Sequence, residues 1–166
     1  MASIALTNSD LVAIVDDEDI EKLKSYRWRL LINKRRRIPS YIVSTSSRHA
    51  VSMHRIIMDA KHGQQIDHAD GNALNNQKSN LRFATASQQM MNRPRFRTKT
   101  SSRYKGVYWD KTLRRWQIRI AVNGKEKTVG YGSSENDAAR KYNDAAMLYH
   151  GEFARLNEIQ GEESCL

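Results

Sequence analysis

The sequence predicts an α+β fold made of two modules, and two stretches of the chain carry that prediction. Residues 64–92 run from a short apolar segment through an Asn-rich loop to a second short segment and a helical stretch. Residues 103–157 contain three runs typical of β-strands, followed by a helix with one apolar face. We therefore expect a ββα unit followed by a three-stranded antiparallel sheet packed on one helix.

These patterns divide the 166-residue chain into four segments. We expect a first domain over residues 1–92 with its ββα core at 64–92, a basic linker over 93–102, a second domain over 103–157 and a tail over 158–166. Short strands are predicted in the first domain at 11–15, 28–31 and 41–43, with helical spacing at 20–23 and 53–58.

The charge balance points to a polyanionic partner. The chain has 28 Lys and Arg residues against 18 Asp and Glu residues, which gives a net charge of +10. Such a charge favours a nucleic acid as the binding partner. The one cysteine, Cys165, excludes a disulfide framework and a cysteine zinc site. No signal peptide or membrane-length apolar run is apparent, so the expected location is cytoplasmic and no membrane partner is expected.

The Asp67-His68 pair is the strongest candidate for catalysis. A carboxylate is a hard oxygen ligand suited to Mg²⁺, and a histidine can take a proton from water near neutral pH. A nearby Asn side chain can either orient the imidazole or add a second oxygen ligand. A dipeptide alone is weak evidence, but the Asn residues and the ββα pattern around it strengthen the assignment.

Two charged stretches each admit two interpretations. The acidic run Asp16–Asp19 is either a cation site or a solvated turn, and the missing Gly turn favours the latter. The run after the first module is either a solvated linker or a tether that follows DNA phosphates, and the basic composition favours the tether. Its alternating cations are Arg93, Arg95, Arg97 and Lys99.

The second module has a predicted polar face. Strands are expected at 104–109, 115–122 and 126–129, with an Asn123-Gly124 hairpin turn between the last two. A helix over 134–149, with Ser134 and Asp137 as a capping box, should cover the apolar face of the sheet. The outward side chains could then lie in a major groove. They are Lys105, Tyr108, Gln117, Arg119 and Thr128.

The first module resembles the HNH endonuclease family, of the homing or phage type. The resemblance begins at Met53-His54-Arg55 and ends at Asn92-Arg93. Its central motifs are Ile66-Asp67-His68-Ala69-Asp70-Gly71-Asn72, Asn75-Asn76 and Ser79-Asn80-Leu81-Arg82. The resemblance implies that Asp67 binds a divalent metal, most simply Mg²⁺ with Mn²⁺ as the alternative. It also implies that His68 is the general base and that Asn80 orients His68.

One position departs from the family's pattern, and one matching position has more than one possible role. Gln89 stands where the family's helix usually carries an Asn or His metal ligand, and Asn92 is the alternative ligand. His54 also matches the family, with three roles open: a structural role, which we favour, a phosphate contact, or support of the leaving group.

The second module resembles the APETALA-type (ethylene-response-factor) DNA-binding domain of plants. The resemblance rests on Tyr104-Lys105-Gly106-Val107, Trp116, Gly130, Ala138-Ala139, Tyr142-Asn143, Ala145-Ala146, Gly151 and Asn157. It implies that the sheet docks in the major groove of double-stranded DNA. Tyr108, Ala121 and Thr128 replace Arg or Trp of the plant members, so the docking mode carries over better than the target sequence.

Together these features predict a metal-dependent DNA endonuclease of a bacterial or phage-infected cell, with a nuclease head and a DNA-reading second module. With one HNH-like site per chain, and no heptad pattern or long apolar stripe to suggest a dimer interface, we expect a monomer that nicks one strand. The alternative is a non-catalytic, sequence-specific DNA-binding regulator. An RNA-binding module is a weaker third option, because the stacking motifs of common RNA-binding folds are missing.

Overall fold

A computed structural model describes residues 1–33, 38–45, 50–95 and 101–159, and the chain divides into two compact units, Met1–Thr85 and Ala86–Leu166. The predictions for Arg97, Lys99 and Cys165 and for the end of the chain lie outside the described residues. The four-segment division stays a prediction, and each unit is described below by itself.

In the described part of the first unit, the strands pair as three two-stranded antiparallel hairpins. The strands are β1 (Ala2–Leu6) with β2 (Ser9–Val15), β3 (Trp28–Asn33) with β4 (Ile38–Ser44), and β5 (Ile66–His68) with β6 (Leu81–Phe83). The helices are α1 (Ile20–Leu23) and α2 (Met53–Ile57). Apolar side chains from these hairpins and helices form one core, centred on Leu23, Trp28, Ile42, Met53 and Ile57.

The β5–β6 hairpin carries the motif identified from the sequence. Its register pairs Asp67 with Arg82 and His68 with Leu81. Because successive side chains leave a strand on opposite faces, His68 points into the core with Leu81, while Asp67 and Arg82 lie on the other, half-buried face.

The acidic run after β2 is only in part the solvated turn that we expected, because Asp17 and Glu18 are exposed but Asp16 and Asp19 are bonded to other parts of the unit. The Asp16 carboxylate accepts hydrogen bonds from Gln77 Nε2 (3.0 Å) and from the Lys78 backbone N–H (2.8 Å). Asp19 is only 1% exposed and lies 3.2 Å from Lys78 Nζ. These carboxylates fasten the first hairpin to the chain just before β6, since buried charges persist only when they are paired.

The second unit contains the three-stranded antiparallel sheet and covering helix that the sequence predicts. Helix α3 (Ala86–Asn92) precedes strands β7 (Val107–Asp110), β8 (Arg115–Val122) and β9 (Lys125–Gly132), which pair in the order β7-β8-β9. Helix α4 (Glu135–His150) packs on one face. The core between sheet and helix includes Val107, Ile118, Ile120, Ala139 and Tyr142.

The ends of α4 follow the predicted capping chemistry with one shift. The Ser134 hydroxyl accepts the Asp137 backbone N–H, as a capping box requires, but the Asp137 carboxylate accepts the N–H of Ser133 instead (2.9 Å). Gly151 ends the helix with a φ of 53°. In the described part of the chain, no helix is long and apolar enough to cross a membrane.

Candidate active site

The His68 imidazole is buried and held by the amide of Asn76. Its Nε2 lies 3.3 Å from Asn76 Oδ1, while Asn76 Nδ2 donates to the Ala73 carbonyl at 3.0 Å. That second bond turns the amide so that its oxygen faces the ring. The pattern assigns the proton to Nε2, which leaves the lone pair on Nδ1, the arrangement that a base requires.

Asn80, predicted to orient His68, closes the loop between β5 and β6. Its Nδ2 donates to Asp70 Oδ1 (3.0 Å) and to the Asn75 carbonyl (2.8 Å), and its Oδ1 accepts the Asp70 N–H (3.0 Å). An effect of Asn80 on the imidazole stays a prediction. Sequence reasoning included Asn76 in the motif without giving it a role, and the Asn75-Asn76 pair was its only signal.

Strand β2 fixes the position of Asn76 through the backbone. The Asn76 N–H donates to the Ile14 carbonyl at 2.7 Å, and the Ile14 N–H donates to the Leu74 carbonyl at 2.8 Å. Ile14 and Asn75 form an isolated parallel bridge. The loop that contacts His68 therefore uses β2 as its partner strand, and Asp16 extends the attachment to Gln77 and Lys78.

His54 lies against His68 and is deeply buried. The two rings meet edge to face with centroids 5.4 Å apart, and the Tyr41 ring lies 5.5 Å from His54 on another side. His54 Nδ1 has no hydrogen-bond partner among the described residues. Burial, with smaller contributions from His68 and Arg55, lowers the pKa of His54 to about 4, so this ring is neutral at pH 7.

Burial also lowers the pKa of His68 below its usual range. The Asn76 hydrogen bond and the carboxylates of Asp70 and Asp67 act in the opposite direction without cancelling the effect of burial. The neutral form of His68 is therefore favoured, and only that form can accept a proton.

Asp67 offers a carboxylate on the opposite face of the hairpin. Its Oδ2 accepts hydrogen bonds from Arg82 Nη2 (2.9 Å) and Nε (3.1 Å), and both side chains are mostly buried. The described part of the chain contains no group of three or more His, Cys, Asp or Glu side chains that are placed to hold a metal ion together. Protein sites for Mg²⁺ commonly supply one or two carboxylates and leave the remaining positions to water and phosphate. The single carboxylate of Asp67 fits that chemistry.

The two predicted amide ligands, Gln89 and Asn92, both lie on α3, which belongs to the second unit. Gln89 is partly buried and Asn92 is buried. Their role as metal ligands stays a prediction.

The outward side of the second unit's sheet carries a connected polar layer, which we call the polar face: Tyr108, Gln117, Arg119, Thr128 and Tyr131. The Arg119 guanidinium lies 5.1 Å from the centre of the Tyr108 ring, and its Nε donates to Gln117 Oε1 at 2.7 Å. Gln117 Nε2 in turn donates to Thr128 Oγ1 at 3.2 Å. Four of the five residues predicted to face outward are thus brought together.

Lys105 is the exception among those five residues. It precedes β7, and its Nζ donates to the Met91 backbone carbonyl. Burial, with a smaller contribution from Arg155, lowers the pKa of Lys105 to about 8. The linker cations Arg93 and Arg95 follow α3 directly.

The match to a family model lies in the first module. A family model described as HNH endonuclease matches residues 51–91. An uncharacterized HNH endonuclease of Acanthamoeba polyphaga mimivirus is 37% identical over 94 residues, which are 57% of this chain and 47% of that protein. Protein 3.8 of Escherichia phage T7 is 33% identical over 94 residues, 57% of this chain and 76% of that protein.

The matched stretch therefore spans about half the length of the mimivirus relative and about three quarters of the phage relative. No solved structure matches the chain significantly. The resemblance of residues 103–157 to the APETALA-type domain stays a prediction.

Proposed function

Because the chain belongs to the HNH endonuclease family, a family of phosphodiester hydrolases, we propose that it is a metal-dependent endonuclease acting on double-stranded DNA. The observation that supports this most directly is the buried His68 imidazole, held at Nε2 by Asn76 with its lone pair on Nδ1. Phosphodiester hydrolysis needs an activated water, and a neutral, fixed imidazole supplies the base.

In this proposal His68 Nδ1 removes a proton from the attacking water. Asn76 keeps Nε2 protonated and stabilises the imidazolium that forms. Its side-chain oxygen accepts a hydrogen bond from Nε2–H both in the neutral ring and in the imidazolium. His54 stays neutral beside the ring, so it adds no positive charge against the developing imidazolium. Its role is packing, which agrees with the structural role that the sequence favours.

Asp67 would hold the divalent metal through its carboxylate. A bound Mg²⁺ supplies charge neutralisation at the phosphate and at the departing 3′ oxygen. Arg82 orients the Asp67 carboxylate through its two hydrogen bonds.

We further propose that the second unit targets the nuclease. The polar face presents Arg119 and Gln117, side-chain types that read base edges in a major groove. The linker cations Arg93, Arg95, Arg97 and Lys99 would add phosphate contacts, as would Lys105. With one site per chain, the protein acts as a monomer and nicks one strand, in the cytoplasm of a bacterial or phage-infected cell.

Cleavage of supercoiled plasmid tests the proposal. With Mg²⁺, open circles should accumulate before any linear product, and chelation should stop the reaction. His68→Ala should lower the rate on the order of 10²-fold or more while DNA binding persists. His62→Ala, at an exposed histidine, is the matched control and should cleave normally.

Three outcomes would contradict parts of this proposal. Undiminished cleavage by His68→Ala would exclude His68 as the base. Immediate linear product with a rate quadratic in protein concentration would identify a dimer that cuts both strands. Sequence-specific binding with no cleavage under any divalent metal would identify a DNA-binding regulator.

A further inference from the structure

A small cationic pocket lies in the second unit, apart from the polar face. Its volume is about 240 Å³. Four of the side chains that line it are cations, Arg95, Arg103, Lys105 and Arg155, and the one acidic side chain among its lining residues is the exposed Glu158. We call these four the cationic pocket. They come from three places in the sequence: the linker, the approach to β7 and the segment after α4.

Hydrogen bonds hold two of these sources together. Asn157 Oδ1 accepts the Lys105 N–H (2.6 Å), and Asn157 Nδ2 donates to the Lys105 carbonyl (3.1 Å). The backbone of Asn157 makes two further bonds with the Asn143 side chain on α4, at 2.8 and 3.0 Å. Arg155, two residues earlier, is therefore kept beside Lys105 by anchored backbone rather than by a flexible loop.

Arg103 is anchored in the same way. Its backbone N–H donates to Glu135 Oε1 at 2.8 Å, and the neighbouring Ser102 hydroxyl donates to the same oxygen at 2.7 Å. Glu135 is the first residue of α4, so the Arg103 backbone is tied to the helix that packs on the sheet. Three of the four cations thus stand on a fixed framework.

Cations kept close by the fold repel one another, and this repulsion acts on Lys105. The charge of Arg155 acts together with burial to lower the pKa of Lys105 to about 8. A bound anion would reduce this repulsion between Arg155 and Lys105. Guanidinium groups bind phosphate through paired N–H donors, which favours a phosphate over a simple halide.

We propose that the cationic pocket binds one phosphate group, and that in the DNA complex this is an internal phosphodiester of the backbone. The pocket would set the position of the second unit along the duplex, since phosphate contacts fix register without reading sequence. The identification of the anion as DNA rests on the proposed function, while phosphate binding itself does not.

The salt dependence of DNA binding tests whether two of the four cations, Arg103 and Arg155, share one phosphate. The full chain is measured by fluorescence anisotropy in EDTA, so cleavage does not interfere. Arg103→Gln with Arg155→Gln should lower affinity about tenfold and reduce the slope of log K against log salt by about one unit. Lys111→Gln with Arg140→Gln removes the same charge elsewhere in the unit and should leave the slope nearly unchanged.

Each possible change in the slope either supports or contradicts a phosphate shared by Arg103 and Arg155. A reduction of two units would mean that Arg103 and Arg155 meet different phosphates, and no reduction would mean that they meet none; either overturns the shared pocket. Arg155→Lys keeps the charge and should keep the slope, which separates phosphate binding from a folding defect. Thermal unfolding of the double variant provides the second check on folding.

Two further measurements identify the source of the phosphate. A duplex with 5′-phosphate ends should bind no tighter than one with 5′-hydroxyl ends, since tighter binding would assign the pocket to a terminal phosphate. Inorganic phosphate at constant ionic strength should raise the unfolding temperature of the wild-type chain more than that of the double variant. If the chain binds no DNA, the proposed function fails, and this last measurement still tests the pocket.

Discussion

The two units of this protein build their polar sites in opposite ways. Around His68 the polar groups are buried, and Asn76 and Asn80 bond mainly to backbone atoms. On the polar face, Gln117, Arg119 and Thr128 are at least partly exposed and bond to one another. The first arrangement fixes a ring to within a narrow range of orientations, as a general base requires. The second leaves side chains free to exchange their partners for base edges.

The largest predicted effect tests whether the two units are stabilised separately. A Cβ at Gly106 (φ 73°) would lie 2.1 Å from the Tyr142 ring and 2.6 Å from the Arg119 carbonyl oxygen. Gly124 has a similar φ of 76° and open space around it. Gly106→Ala should therefore destabilise the second unit by about 1–3 kcal/mol more than Gly124→Ala.

Hydrogen exchange measures this effect unit by unit. Amides of β8 should lose protection in Gly106→Ala, and amides of β3 should keep it. An equal loss in both strands would show that the units unfold together, which would remove the basis for treating them separately.

Substitution of Arg119 tests the adaptable side of the comparison. Arg119→Ala should weaken binding to a site selected from random DNA by about 1–3 kcal/mol, because a bidentate contact to a base edge would be lost. Binding to scrambled DNA should change much less. Arg140→Ala on α4 is the charge-matched control. Equal losses on both DNAs would reassign Arg119 to a phosphate contact.

Substitution of Asn76 tests the rigid side. Asn76→Ala should lower kcat about tenfold, a loss of about 1.4 kcal/mol in the transition state, with KM and DNA affinity nearly unchanged. Asn76→Asp keeps an oxygen toward His68 Nε2 and should restore part of the rate. A purely structural role for Asn76 would instead give equal losses in both variants, in parallel with their thermal stability.

The smallest effect concerns the attachment of the loop through Asp16. Hydrogen bonds from the Lys78 N–H and then the Gln77 side chain lower the pKa of Asp16. A lowered folded-state pKa means that the stabilisation is present above the unfolded value near 3.8 and is lost as the pH falls through the folded value. Asp16→Asn should cost about 0.5–1.5 kcal/mol at pH 7, the usual range for a hydrogen bond.

Thermal unfolding at several pH values checks the direction in which the stabilisation by Asp16 changes with pH. The difference in Tm between wild type and Asp16→Asn should shrink as the pH is lowered from 5 to 3. Asp17→Asn, one residue later on an exposed side chain, should show a smaller difference at pH 7. A difference that grows toward low pH would contradict the assignment.

The second unit was the easier of the two to predict from the sequence, because its signals are local. Alternation over 115–122 predicted β8, the Asn123-Gly124 turn predicted the hairpin after it, and Ser134 predicted the start of α4. The start of β7 was wrong by three residues for an identifiable reason. Both backbone groups of Lys105 bond to the Asn157 side chain, 52 residues away, instead of to a neighbouring strand.

The surroundings of His68 were harder to predict, because they too depend on hydrogen bonds between residues that are far apart in the sequence. The sequence identified His68 and its hairpin, but the contact from Asn76 depends on a backbone bond to Ile14, and any residue type could provide that carbonyl. The acidic run was misread in part because its partners, Gln77 and Lys78, are about 60 positions away. Regular spacing of residues reveals helices and strands. Hydrogen bonds between distant parts of the chain follow no regular spacing, so the sequence pattern does not reveal them.

The bridge between Ile14 and Asn75 limits how this nuclease can be rearranged. The stretch that matches the family, 51–91, omits the strand on which its own loop rests. A chimera that transplants only that stretch would carry His68 on a loop without its partner backbone. A graft or circular permutant should therefore keep residues 9–19 attached, and new junctions belong elsewhere in the chain.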